Sequence, residues 1–153
     1  MIYQYKAEHF LPIEIDQAWT FFSSAKNLAR ITPPEMDFQI KTELDDREIY
    51  EGMLIDYTVK PLLGIPLGWQ TEIFNVNKPY VFSDRQRKGP YVMWEHTHTF
   101  SETESGVLMT DQVNYQLPFG LLGDFAHALF IKKKIERIFA YRKDALNRIF
   151  VSV

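Results

Sequence analysis

Between residues 89 and 120 the chain alternates side chains in a way that only a pair of facing strands accommodates. Successive side chains of a strand point to opposite faces. In Gly89-Pro90-Tyr91-Val92-Met93-Trp94-Glu95-His96-Thr97-His98-Thr99-Phe100, the residues Trp94, His96, His98 and Phe100 therefore share one face. The polar stretch Ser101–Gly106 turns the chain, and Val107, Met109, Asp111, Val113, Tyr115 and Leu117 share one face of the return strand. Two histidines and an aspartate thus interrupt an otherwise apolar surface. In simple register Phe100 faces Val107, His98 faces Met109, His96 faces Asp111 and Trp94 faces Val113. Opposed Cβ atoms lie about 4.5–5.5 Å apart, within reach of a His96–Asp111 hydrogen bond.

The rest of the chain predicts what this pair packs against. Tyr3, Tyr5, Ala7, His9 and Leu11 alternate with polar neighbours as an opening strand ended by Pro12. Ile15, Ala18, Trp19 and Phe22 have helical spacing, and a second short helix is expected from Ala25 to Ile31, stopped by Thr32-Pro33-Pro34. Strands are expected over Phe38–Leu44 and Ile49–Lys60, from Trp69, and around Phe82, Asp84 and Gln86. The run Pro61–Gly68 reads as an apolar loop, either an ordinary packed loop or a lid over a cavity mouth. A long helix from Gly123 to Phe150 carries a broad apolar stripe that includes Phe125, Leu129, Ile135, Phe139 and Leu146. One strand, two short helices, six strands and one long helix make an α+β meander, with that helix covering the sheet's apolar face.

Composition narrows the function. The 153 residues include 8 Tyr, 12 Phe and 3 Trp, enough rings to fill a core or to line a cavity. No cysteine is present, which removes disulfides, thiolate catalysis and thiolate metal sites. Met1 leads straight into Tyr3-Gln4-Tyr5-Lys6, without a basic-then-apolar leader. A cytoplasmic, single-domain protein spanning 1–153 is expected, with no membrane insertion. The net charge of −3 argues against nucleic acid. It is unevenly placed: from Leu121 onward the balance is +4, through Lys132-Lys133-Lys134 and Arg137 among others. That basic surface is either the solvated face of a helix or a contact for an anionic surface.

The residues Gly89-Pro90-Tyr91, Trp94-x-His96-x-His98-x-Phe100, Asp111-x-Val113-x-Tyr115 and Pro118-Phe119-Gly120 resemble the START-like helix-grip superfamily (SRPBCC). Within it they are most similar to the bacterial ligand-binding group labelled polyketide cyclase/dehydrase-like. Thr32-Pro33-Pro34, Trp69-x-Thr71-x-Ile73, Phe82-x-Asp84-x-Gln86 and Ile138-Phe139-x-Tyr141-Arg142 also fit that pattern. The resemblance spans essentially the whole chain. It implies a seven-stranded, curved antiparallel sheet gripping the C-terminal helix around an apolar cavity. Members bind lipids, sterols, polyketides or plant hormones, and a minority catalyse cyclisation or dehydration.

Three chemistries fit His96, His98 and Asp111. They can be a satisfied buried network, polar anchors for a ligand in an apolar pocket, or a general acid–base pair of His96 and Asp111. The same three residues also match a two-His, one-carboxylate metal set. H-x-H alone, with no further ligand at a supporting spacing, is too little for one, so neither metal nor cofactor is expected. Tyr57, Trp69, Phe82, Trp94, Met109 and Tyr115 are the expected apolar walls. Asp84 and Arg142 are further polar candidates, although the pattern favours a solvated Arg142 over one pointing into the cavity. His9 and His127 read as isolated residues. The expected function is binding of a small, largely hydrophobic ligand (lipid-, polyketide- or aromatic-like). The alternative is a cyclase, dehydratase or isomerase. No nucleotide loop or nucleophile elbow is present.

Overall fold

The computed structural model describes residues 1–61 and 64–151. The opening strand β1 (Ile2–Leu11) leads into α1 (Ile15–Phe22), whose first turn is held by the Gln17 side chain accepting the Glu14 backbone N–H. Its apolar stripe buries Ile15, Ala18, Trp19 and Phe21. Next come α2 (Ala25–Arg30), a 3₁₀ turn (Pro34–Met36) and six strands. These are β2 (Gln39–Ile40), β3 (Leu54–Val59), β4 (Leu67–Asn77), β5 (Val81–Lys88), β6 (Met93–Thr103) and β7 (Gly106–Gln116). All seven strands form one antiparallel sheet in the order β1-β7-β6-β5-β4-β3-β2. Register shifts between β4 and β5, with Asn75 at a φ of 54°, bend the sheet so that it curls.

Two strands are shorter than expected. Pairing opens after Ile40, where the Lys41 and Thr42 N–H groups both turn to the Asp56 carbonyl. Before Leu54 the chain leaves the ladder: Ile49 N–H bonds the Ser23 carbonyl and Gly52 N–H bonds the Ile73 carbonyl. Leu67 and Gly68, expected in a loop, pair with Val59 and Thr58 as the start of β4. Leu62 and Leu63 of that expected loop lie outside the described residues.

The β6–β7 register also differs from the simple one. β6 runs on to Thr103, which pairs with Gly106 across a two-residue turn, so His98 faces Asp111, His96 faces Val113 and Phe100 faces Met109. The difference is two residues, an even number, so every side chain keeps its expected face.

The C-terminal helix starts earlier than the pattern predicts and is not uniform. It comprises α3 (Gly120–Ala126), a π-helical segment (His127–Ile131) and α4 (Lys132–Phe150). A π turn inserts a residue and rotates what precedes it. Phe125 and Leu129, expected on the buried stripe, are therefore exposed with Leu121 and Leu122, while α4 buries Ile135, Phe139, Arg142, Ala145 and Leu146. α4 packs on Val113 and Tyr115 with Ile135 and Phe139, and on Leu11, Phe21 and Ile31 with Ala145 and Leu146. Trp19 fills the space under α1, edge-on to Phe82 and Phe100 at 5.6 and 6.2 Å. Among the described residues no helix is long and apolar enough to cross a membrane.

Candidate functional site

Where the sheet curls away from α4, a cavity of about 180 Å³ remains between β3–β6, the two short helices and α4. Six of its expected aromatic and polar wall residues line it from the strands: Tyr57, Trp69, Phe82, Trp94, His96 and His98. Asp84 and Arg142 line it too. Arg142 is buried, not solvated, and stacks its guanidinium 4.9 Å from the Phe139 ring centre. Three expected residues sit elsewhere. Met109 is enclosed in the core with Trp19 and Phe100, and Tyr115 packs between Trp94 and His127. Asp111 lies behind the histidines with no exposure. The helical walls, including Phe22, Leu28, Ile31 and Ile138, were not singled out in the sequence as site residues. Their helical spacing was visible, but nothing distinguishes a helical residue facing a cavity from one facing a filled core.

The polar end of the cavity is built in layers. His96 Nε2 donates to Asp111 Oδ1 at 2.7 Å, because a carboxylate can only accept. The same oxygen lies 3.2 Å from His98 Nδ1 and 3.7 Å from Arg142 Nη1. In front of the histidines, His98 Nε2 donates to Asp84 Oδ2 at 2.9 Å, and His96 Nδ1 lies 3.8 Å from that oxygen. The two imidazoles are 3.8 Å apart, and Phe82 stacks on His98 at 4.3 Å. The expected His96–Asp111 contact therefore forms, but diagonally across the ladder and not between opposed residues.

His9, read as isolated, belongs to this cluster. It is buried, with Nε2 3.7 Å from Asp111 Oδ2, because β1–β7 pairing sets His9 opposite Met109, two residues from Asp111. Its inward face was legible from alternation, but the partner strand was not. His127 is buried as well. Its Nε2 shares a 2.7 Å hydrogen bond with the Tyr115 hydroxyl and its ring stacks on Tyr3 at 3.5 Å, which ties the helix to β1 and β7 away from the cavity.

Burial and pairing push these groups in different directions. Burial alone would raise Asp111, but hydrogen bonds from His96 and His98 and the nearby Arg142 charge hold it well below the usual carboxylate range. Asp84 is also held low: burial opposes this, and the His98 hydrogen bond with the His96, His98 and Arg142 charges outweighs it. Burial and the neighbouring His98 lower His96 despite Asp111, which favours the neutral ring with its lone pair on Nδ1. His98 goes the other way, since contacts to Asp111 and Asp84 more than offset its burial. Two buried donors on the cavity wall, Trp69 Nε1–H and Arg142 Nε–H, find no hydrogen-bond acceptor among the described residues. Such an arrangement can hold an oxygen-bearing molecule in an otherwise apolar space, relay a proton through His96, or ligate a cation.

No protein-family model and no curated protein matches the chain. Solved structures do. Protein CV1439 from Chromobacterium violaceum superposes with a TM-score of 0.70 at 12% identity, covering 98% of each chain. Major latex-like protein 151 from Panax ginseng gives 0.67 at 7% identity over 99% of each chain. TTHA0849 from Thermus thermophilus gives 0.65 at 14% identity, over 96% of this chain and 99% of its own. At these identities the likeness is one of architecture, and this chain has the helix-grip fold: a curved seven-stranded antiparallel sheet closed around a long C-terminal helix.

Proposed function

We propose that the protein binds a compact, largely hydrophobic molecule that carries an oxygen acceptor or carboxylate at one end. The observation that carries this reading is a cavity with apolar walls and one polar end, where the Asp84, His96, His98 and Arg142 side chains line the space. A polar group of the ligand placed at that end is oriented by these side chains, while the rest of the molecule is buried against apolar walls. Size sets the ligand. A dry apolar cavity of about 150 Å³ holds one benzene. A volume of about 180 Å³ therefore suits one aromatic ring with a polar substituent, and two rings only with some movement of the walls. Within the range that the resemblance to bacterial ligand-binding helix-grip proteins implies, this favours aromatic-like ligands over extended lipids. Each 100 Å² of apolar ligand surface removed from water contributes about 2.5 kcal/mol, and the polar end sets orientation.

The test is a titration of the protein's tryptophan fluorescence with benzoate, 2-naphthoate and their uncharged parent hydrocarbons. Saturable 1:1 binding in which the carboxylates outcompete the hydrocarbons supports the reading. It should be lost in Ile138→Trp, which fills the cavity. Absence of saturation with every compound contradicts it.

Acid–base catalysis is a second reading. It is favoured by the unbonded Nδ1 of His96, whose ring lines the cavity and is oriented from behind by Asp111. Turnover of a bound molecule that disappears in His96→Gln while its affinity survives would identify an enzyme.

A further inference from the structure

We propose that Asp84, His96 and His98 form a binding site for a divalent first-row transition-metal ion at the inner end of the cavity, with Asp111 orienting both imidazoles from behind. One ligand atom from each of the three residues falls within a 4.8 Å span of the others. Asp84 Oδ2 is 2.9 Å from His98 Nε2 and 3.8 Å from His96 Nδ1. Metal bonds of about 2.0–2.2 Å at angles of 90–120° separate neighbouring ligand atoms by roughly 2.9–3.7 Å. Of the three pairs, Asp84–His98 already fits, Asp84–His96 closes with a movement of a few tenths of an ångström, and the His96 and His98 ligand atoms lie within 4.8 Å of each other. The carboxylate facing the cavity is Asp84, not the Asp111 that the sequence brings to mind.

The arrangement behind these atoms is the stronger argument. Imidazoles that ligate a metal usually give their second nitrogen to a carboxylate, which fixes the tautomer and aims the lone pair. Here one oxygen of a fully buried carboxylate holds the His96 ring and lies close to the His98 ring. Asp111 Oδ1 accepts from His96 Nε2 at 2.7 Å and lies 3.2 Å from His98 Nδ1. His96 Nδ1 is left with its lone pair toward Asp84, and His98 Nε2, which donates to Asp84 Oδ2 in the absence of an ion, would exchange that proton for the metal. Phe82 stacked on His98 restrains that ring's rotation.

Two imidazole nitrogens and one carboxylate oxygen select zinc, iron, cobalt or nickel over magnesium and calcium, which prefer all-oxygen sites. Three protein ligands on one side leave coordination positions open toward the cavity. An oxygen of a bound molecule or a water can complete the shell there. The site does not depend on the ligand reading above, since the ion is held by protein atoms alone.

The experiment titrates chelator-treated, folded protein with Zn²⁺ by calorimetry and with Co²⁺ by visible absorption. The expected result is 1:1 binding at micromolar or tighter dissociation constants, with cobalt bands of a low-symmetry nitrogen–oxygen site. Asp84→Asn, His96→Gln and His98→Gln should each weaken binding at least about 100-fold. Asp111→Asn should weaken it by about 10–100-fold without changing the stoichiometry. His127→Gln, remote from the cavity, should leave it unchanged. Should the histidine variants fail to fold, long-range ¹H–¹⁵N spectra of wild-type protein decide: Zn²⁺ must shift the ring nitrogens of His96 and His98, most of all His96 Nδ1 and His98 Nε2, and leave those of His127 in place. The proposal is overturned by no binding of either ion at 1:1 below about 100 μM. Binding that survives Asp84→Asn and His98→Gln together overturns it as well. Repeating the naphthoate titration in chelator separates the two ideas: aromatic binding without Zn²⁺ binding sinks only the metal site, and the converse sinks only the ligand reading.

Discussion

Replacing Asp111 by Asn keeps the volume and removes the charge on which the buried cluster converges. Asp111 has no exposure, and its carboxylate lies 2.7 Å from His96, 3.2 Å from His98, and 3.7 Å from both His9 and Arg142. Without it, the Arg142 guanidinium loses its nearest carboxylate, and Asp84 alone faces two histidines. Breaking a buried pair from one side costs about 3–5 kcal/mol, chiefly because the partner charge stays buried and unmatched. Domains of this size hold about 5–15 kcal/mol in all, so the variant should still fold with a narrow margin. A loss of about 4 kcal/mol should lower the melting temperature by about 8–16 °C. Urea denaturation at pH 7 measures it, with an unchanged slope showing that the same surface is exposed. Removing the stranded cation should restore part of the loss, so Asp111→Asn with Arg142→Met should be more stable than Asp111→Asn alone by about 1–2 kcal/mol. An Asp111→Asn variant within about 1 kcal/mol of wild type would refute the reasoning, because the carboxylate would then not be the charged centre of the cluster.

Other consequences are testable more briefly. NMR titration of the histidine rings should show His98 titrating above its ordinary value of about 6.5, and His9 and His96 below it. His98 titrating lowest would contradict the assigned contacts. By linkage, His98 contributes stability present below about pH 6.5 and lost as pH rises through its folded value, whereas His9 and His96 stabilise above about pH 6.5 and cost stability on acidification. Asp111 and Asp84, both held low, contribute above about pH 4 and lose that contribution as acid protonates them, so denaturation curves should steepen in pH dependence below pH 4 and flatten in Asp111→Asn. Gly106→Ala places a Cβ against the Leu11 backbone oxygen and should cost about 1–3 kcal/mol by urea denaturation; a neutral change would mean the β6–β7 turn has room to move. Trp19→Ala should cost about 3–5 kcal/mol, since the ring is 1% exposed and meets Phe82 and Phe100; less than about 1 kcal/mol would show that this part of the core collapses to fill the space.

Much of the fold was legible because periodicity carries it. Alternation placed His96, His98, Asp111, Val113 and Tyr115 on one face, and helical spacing found Trp19 and the α4 stripe. Register was not legible, because Ser101-Glu102-Thr103-Glu104-Ser105-Gly106 reads equally well as a long polar loop or as strand ends around a tight turn. The even offset kept the faces correct and still moved Asp111 opposite His98. The π segment left no mark in His127–Ile131, whose apolar residues suit either helix type, so the solvent-facing turn of Phe125 and Leu129 was hidden. Site membership was partly legible. Chain order told that His96 and Asp111 were near and alternation offered Asp84 as a further member, but only β1–β7 pairing shows that His9 completes the cluster.

The central claim is that the polar-ended cavity holds a small molecule, and native mass spectrometry of the freshly purified protein tests it most directly. The account predicts an organic adduct of one- or two-ring size, or a 1:1 complex on adding 2-naphthoate, absent in Ile138→Trp. A bare protein mass that no aromatic carboxylate changes, in wild type and variant alike, would contradict it.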